Sequence, residues 1–179
     1  MGKDWYGYVY RKNHTKFDSQ KLLVPSLATG SCFSADLEGK FYFVGSGGGG
    51  GGGYGICLLP NIEFGYLYML GLLNSSLISE HIKKISTPFQ HGYFALNRQY
   101  ISQLPIRTID FTNPAEKAQH DKMVALVGQM LALHKASAHT PQEKERLTRQ
   151  IESADRAIDA LVYALYGLTE EEIRVVEGG

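Results

Sequence analysis

The chain has 179 residues, 44% of them hydrophobic, with 18 Lys plus Arg balanced by 18 Asp plus Glu. That apolar share supports a real core and excludes wholesale disorder, and the length fits one domain or a domain with an appendage. A net charge of zero does not advertise a polyanion partner, but residues 1–110 carry 10 bases and 7 acids while residues 111–179 carry 8 and 11. The first part therefore has a mild basic bias, compatible with phosphate contact.

Met1-Gly2-Lys3-Asp4-Trp5 lacks the apolar stretch of a secretory signal. No run reaches the roughly 18 apolar residues of a membrane span. Cys32 and Cys57 form no CxxC pair and have no His placed to complete a zinc site. Reduced thiols in a cytoplasmic protein are the expectation.

In chain order, Trp5–Tyr10 is rich in aromatic and β-branched residues and predicts a strand. Leu22–Val24 predicts a second, stopped by Pro25. Phe41–Val44 and Ile56–Leu59 predict two more, joined as a hairpin through a mobile connection that holds the seven glycines Gly47–Gly53. From Leu67 the period changes. Leu67, Leu70, Leu77, His81 and Ile85 fall near one helical face, with Leu73 and Ile78 widening it, which predicts one helix to about Ile85. Phe89–Phe94 reads as a loop around Gly92. Asn97–Leu104 predicts a short helix closed before Pro105.

Asn113-Pro114-Ala115-Glu116 places a cap, a first-position proline and a third-position Glu, and Thr140-Pro141-Gln142-Glu143 repeats that start. Thr169-Glu170-Glu171-Glu172 repeats it without proline. Met123, Val127, Met130 and His134, then Leu147, Ile151, Ala154, Ile158, Leu161 and Leu165, alternate spacings of three and four in a coiled-coil rhythm. Two helices of about 22 and 26 residues, ended by Gly167, form an antiparallel hairpin. The fold class is α+β: a small mixed α/β part over residues 1–110, then this hairpin and a tail over residues 111–179.

The motifs for chemistry are mostly negative. The glycine run is not followed by GK[ST], and no βαβ unit surrounds it, so neither nucleotide reading holds. The six histidines show no metal spacing, and no GxSxG elbow occurs. Catalytic, metal and cofactor sites are all read as none. Two segments suit nucleic acid instead. Arg11-Lys12-Asn13-His14-Thr15-Lys16 concentrates positive charge just after the first strand. Gln90-His91-Gly92-Tyr93 with Asn97 and Arg98 sets amide, guanidinium and aromatic groups around a glycine, the types that read base edges. The bland alternatives are a solvated turn and an ordinary surface loop.

The order of elements from Leu67 to Ile106 resembles the TaqI-like C-terminal specificity domain of adenine-specific DNA methyltransferases, including enzymes fused to an endonuclease. Lys21-Leu22-Leu23-Val24-Pro25 resembles that family's early strand, Leu72-Leu73-Asn74-Ser75 its helix core, and Tyr100–Ile106 its closing segment. Ile158–Ile173 resembles the ending of many such methyltransferases. The resemblance implies a target-recognition domain that binds double-stranded DNA in a restriction-modification system. It implies phosphate anchoring by Arg11, Lys12, Lys16 and Lys21, and readout from Asn13, Gln90, His91, Tyr93, Asn97 and Arg98. Tyr54 closes a Gly-rich turn that resembles a shorter one in the family, where the backbone approaches DNA; a flexible linker is the plainer reading.

The base-gripping Asn/Asp-Pro-Pro-aromatic motif of adenine methyltransferases does not occur, since Asn113-Pro114 runs into Ala115-Glu116. No nuclease cluster is apparent either. The expectation is a non-catalytic fragment of a larger enzyme. S-adenosylmethionine would bind in the missing methyltransferase catalytic domain, which is the protein partner. The alternative reading makes the hairpin an assembly module that docks a partner subunit or dimerises.

Overall fold

The computed structural model describes residues 14–42 and 52–178. The strand expected at Trp5–Tyr10, Val44 of the third expected strand, and Gly47–Gly51 lie outside those residues. A short helix α1 (His14–Phe17) leads into strand β1 (Lys21–Pro25), continued by β2 (Leu27–Ala28) and followed by β3 (Ser34–Asp36) and β4 (Gly53–Ile56). Strand β1 is central and antiparallel to both neighbours. It pairs Leu22 with Ala35 of β3 and with Ile56 of β4. Its alternation buries Leu22 and Val24 on the core side.

Two expectations are corrected here. Phe41 and Tyr42 form no strand, and Cys57–Leu59 lie beyond β4. The strand that ends at Ile56 pairs with β1. Strand β3 escapes a pattern search because Ser34-Ala35-Asp36 has almost no β propensity of its own. It is held by pairing and by Asp36.

The apolar run after Gly65 is two helices, not one: α2 (Gly65–Asn74) and α3 (Ser76–Ile85). Ser75 separates them with φ −65° and ψ 154°, and its hydroxyl accepts from the Ile78 N–H as the N-cap of α3. The neighbours of Ser75 fix the junction. Asn74 exchanges two hydrogen bonds of 2.9 Å with the backbone of Phe33. Ser76 donates through its N–H and its hydroxyl to Asp159, at 2.8 and 2.6 Å. Asn-Ser-Ser thus joins the sheet, two helices and a distant third helix at one point.

After a turn at Gln90–Gly92, strand β5 (Phe94–Ala95) pairs with β2, and α4 (Arg98–Ile101) follows, shorter than expected but capped by Asn97. The hairpin helices are α5 (Pro114–Lys135) and α6 (Pro141–Tyr166), of 22 and 26 residues. Asn113 and Thr140 cap them, and Gly167 closes α6 in the left-handed region at φ 66°. Helix α7 (Glu170–Val176) starts from a capping box at Thr169 and Glu172.

Met123 and Val127 of α5 and Ile158, Leu161 and Leu165 of α6 are buried in the same core as Leu22 and Tyr68. Helix α2 approaches α5 at Gly71, where a Cβ would stand 2.5 Å from Met123 Sδ and 2.8 Å from Val127 Cγ2. Tyr68 and Tyr166 clamp the segment between: their hydroxyls donate to the carbonyls of Arg107 and Pro105. The Leu-Pro-Ile stop is a strap fastened at both ends.

Candidate nucleic-acid interface

Thr87–Ala95 folds as a narrow antiparallel neck with a three-residue tip. The Ala95 N–H donates to the Thr87 carbonyl, Pro88 bridges Phe94, and the Phe89 N–H donates 2.7 Å to the Tyr93 carbonyl. The tip can turn so tightly because His91 and Gly92 both adopt left-handed backbone, at φ 61° and 75°. For a histidine that conformation is uncommon, and surrounding structure must sustain it. The Thr87 and Tyr100 hydroxyls are hydrogen-bonded, so α4 braces the neck from outside.

The expected readout residues share this element. Gln90, His91 and Tyr93 are exposed at its tip, and Arg98 is exposed on the first turn of α4. Asn97 is half-buried, and its side-chain oxygen accepts from the Gln99 N–H as the α4 cap. A capping role explains that amide as fully as base contact would.

The glycine run arrives beside the same loop. The Ser26 N–H donates to the Gly52 carbonyl, and the Ser26 carbonyl accepts from the Leu96 N–H at 2.9 Å. The exit of the run and the residue that follows the neck, Leu96, are therefore linked through Ser26 by two backbone hydrogen bonds. Gly53 could be no other residue without displacement, because a Cβ there would stand 2.5 Å from the Val24 carbonyl oxygen. Tyr54 lies half-buried on β4, opposite Val24 and against the core.

Lys16, the last base of the basic run, lies before the start of β1, the end away from Pro25, and β1 itself is about 13 Å long at 3.3 Å per residue. Arg11, Lys12 and Asn13 lie outside the described residues. Lys16 is exposed. Lys21 is not, and its expected role as a phosphate anchor is corrected. It is 2% exposed, and its ammonium donates to Asp36 at 2.5 Å and to the carbonyls of Phe17 and Ser19. An ammonium has three protons, and all three are committed.

Burial alone would push the Asp36 carboxyl up. The Lys21 ammonium and the backbone N–H groups of Phe41 and Lys40 outweigh that and hold it at about 2. This pair fixes the loops on either side of it. Below it, Phe17 packs on Tyr42, and Asp18 accepts from the Tyr42 hydroxyl.

Reading residue by residue missed two groups here, Lys84 and Phe89. The signal that finds them is an absence: from His81 to Ile109 the chain has four Lys or Arg and no Asp or Glu. Lys83 pairs with Glu80 and Arg107 with Glu116, whereas among the described residues no ion pair holds Lys84 or Arg98. Those two charges flank the neck.

The neck is thus a basic, acid-free loop on a braced support, with Gly52 beside its base. Comparison with known proteins decides its family. The model of the TaqI-like C-terminal specificity domain matches residues 3–106, which hold the sheet, the Asn-Ser-Ser junction and the neck.

The chain belongs to the TaqI-like C-terminal specificity domain family.

The chain is also 28% identical over 182 residues to the type II restriction enzyme and methyltransferase RM.Eco57I of Escherichia coli. That similarity covers 97% of the chain and 18% of the relative, so the chain spans less than a fifth of the protein it matches. The family match ends at Ile106, whereas the relative's similarity runs on through the helical hairpin. This specificity domain is thus related to the bifunctional enzyme over both its sheet and its hairpin.

Proposed function

We propose that the chain is the DNA-reading part of a restriction-modification adenine methyltransferase, and that it positions a separate catalytic domain on the target site. The observation that carries this reading is the acid-free neck at Thr87–Ala95, preceded in the chain by Lys84 and followed by Arg98, in a chain of the specificity-domain family. Phosphate anchoring falls to Arg11, Lys12, Lys16, Lys84 and Arg98. Base-edge readout falls to Gln90 and His91, whose side chains stand at the exposed tip, with Tyr93 exposed beside them as a further DNA contact. Residues 1–110 form the recognition part, and the hairpin at 111–179 is its spacer and docking arm. The cofactor S-adenosylmethionine binds in the catalytic domain and not here.

The test is a binding titration against mixed-sequence duplex at several salt concentrations. The chain should bind with non-specific affinity, about 10⁻⁴ to 10⁻⁶ M at physiological salt. Replacing Lys84 and Arg98 by Ala should lower the log–log salt slope by about 0.9 for each phosphate no longer neutralised. An unchanged slope removes the neck from the interface. Incubation with S-adenosylmethionine should leave every adenine unmethylated, and N6-methyladenine above a no-protein control would overturn the division of labour.

A second reading, an assembly module, is favoured by one feature. The seam continues beyond the core as half-buried Met130, Leu147 and Ile151, beside a cleft of about 580 Å³. A stable dimer in sedimentation, abolished by Leu147→Asp, would favour it.

A further inference from the structure

Two exposed aromatic residues stand on the neck: Phe89 is 51% and Tyr93 43% exposed. The Pro88–Phe94 bridge and the Phe89–Tyr93 hydrogen bond put residues 89 and 93 directly opposite each other. Residues opposite each other on an antiparallel pair carry their side chains on the same face, with Cβ atoms about 5 Å apart. The two rings therefore project together from a support that the left-handed tip and the Thr87–Tyr100 brace hold stiff. A rigid loop that keeps two aromatic rings in water has not minimised its own exposed apolar surface, so the geometry suits insertion into something else.

The surroundings say what that is. Lys84 precedes the neck and Arg98 follows it in the chain, both exposed, and no acid occurs from His81 to Ile109. An apolar pair in a basic, acid-free stretch fits a partner with anions outside and flat apolar faces within, which is a nucleic-acid duplex. Phenylalanine has no donor or acceptor with which to read a base edge. Its contribution to such a partner is stacking or insertion between base pairs.

We propose that Phe89 and Tyr93 form a wedge that enters the base stack of duplex DNA and opens one step, with Lys84 and Arg98 on the flanking phosphates. This rests on the DNA-reading function proposed above and adds to it a distortion of the duplex. Unstacking a step lowers what it costs to swing a neighbouring base out of the helix.

The experiment starts by selecting a bound duplex from a randomised pool with the whole chain. The recovered duplex is then made with 2-aminopurine at each adenine in turn, and its thymines are probed with permanganate. On binding, one step should brighten several-fold or become permanganate-reactive. Phe89→Lys should still bind, through added charge, but lose that signal. Phe89→Leu should keep most of it, since an aliphatic wedge also opens a step. Phe89→Ala should bind roughly tenfold more weakly, as expected when a stacking aromatic is removed. All three variants change one exposed side chain, so thermal melting should match the parent chain.

Binding without any opened step, or an opened step that survives the double change Phe89→Ala/Tyr93→Ala, overturns the wedge and leaves the DNA-reading function standing. A chain that binds no duplex, selected or mixed-sequence, overturns both.

Discussion

Lys21 and Asp36 show what a charge becomes once its neighbours are known. At 2% exposure each, the pair lies inside the sheet, and Asp36 also accepts from the N–H groups of Lys40 and Phe41. Removing one charge strands the other, and a broken buried pair costs about 3–5 kcal/mol. We expect Asp36→Asn to lower the melting temperature by roughly 10 °C in a chain of this size. The double change Lys21→Met/Asp36→Leu should recover most of the loss, because two apolar groups leave nothing uncompensated. A single variant that melts like the parent would mean that water reaches the pair. The pH dependence has a definite sign. Asp36 titrates at about 2 in the fold against an ordinary 3.8, so its stabilisation is complete above about pH 4. It is lost as pH falls toward 2. Acid titration of Asp36→Asn should lack that component. The sequence shows that Lys21 is charged and lies near a basic run, which is why it reads as a phosphate anchor. Its burial depends on Asp36, 15 residues away, and no local pattern announces that pairing.

At the scale of elements, the hairpin was the most legible part of the chain. Its starts follow short-range capping rules, and its seam repeats over many turns, so local sequence determines both. The break between α2 and α3 was not legible. Ser75 is followed at the third position by Ile78, without the Glu that marks Thr140 and Thr169, and apolar residues continue on both sides. What holds the break is remote: Asp159, 83 residues away, takes both donors of Ser76. Asp159→Ala should cost about 1–2 kcal/mol, the range of a removed cap, and read out as a lower urea midpoint at unchanged slope. An unchanged midpoint would mean that Ser75 alone suffices to start α3. Ile158, at 6% exposure, tests the seam itself. Ile158→Asp buries an unpaired charge, for several kcal/mol. If it melts with the parent chain, that face of α6 is wet.

Among the described residues, the sheet and the hairpin share one core, and helix α2 meets the hairpin closely at Gly71. In an exposed helix, Gly→Ala is expected to stabilise by about 1 kcal/mol. Here the new methyl would meet Met123 and Val127 at 2.5 and 2.8 Å, and overpacking of that kind costs about 1–3 kcal/mol. Gly71→Ala should therefore be neutral to destabilising in a urea melt. A clear gain would show that the hairpin can slide away without loss. The neck stands between these extremes of legibility. Its residue types were visible, but the left-handed His91 and the pairing of Phe89 with Tyr93 arise from closing the neck, which composition cannot reveal. Continuity of the core also bears on re-engineering. A chimera that exchanged residues 1–110 between two such proteins would cut between Gly71 and Met123 and leave each half with a mismatched partner. The braced neck, by contrast, begins and ends on adjacent backbone, at Thr87 and Ala95. If the neck reads DNA as proposed, a change of target should therefore be transplantable as that nine-residue cassette, with the rest of the molecule serving as an unaltered handle.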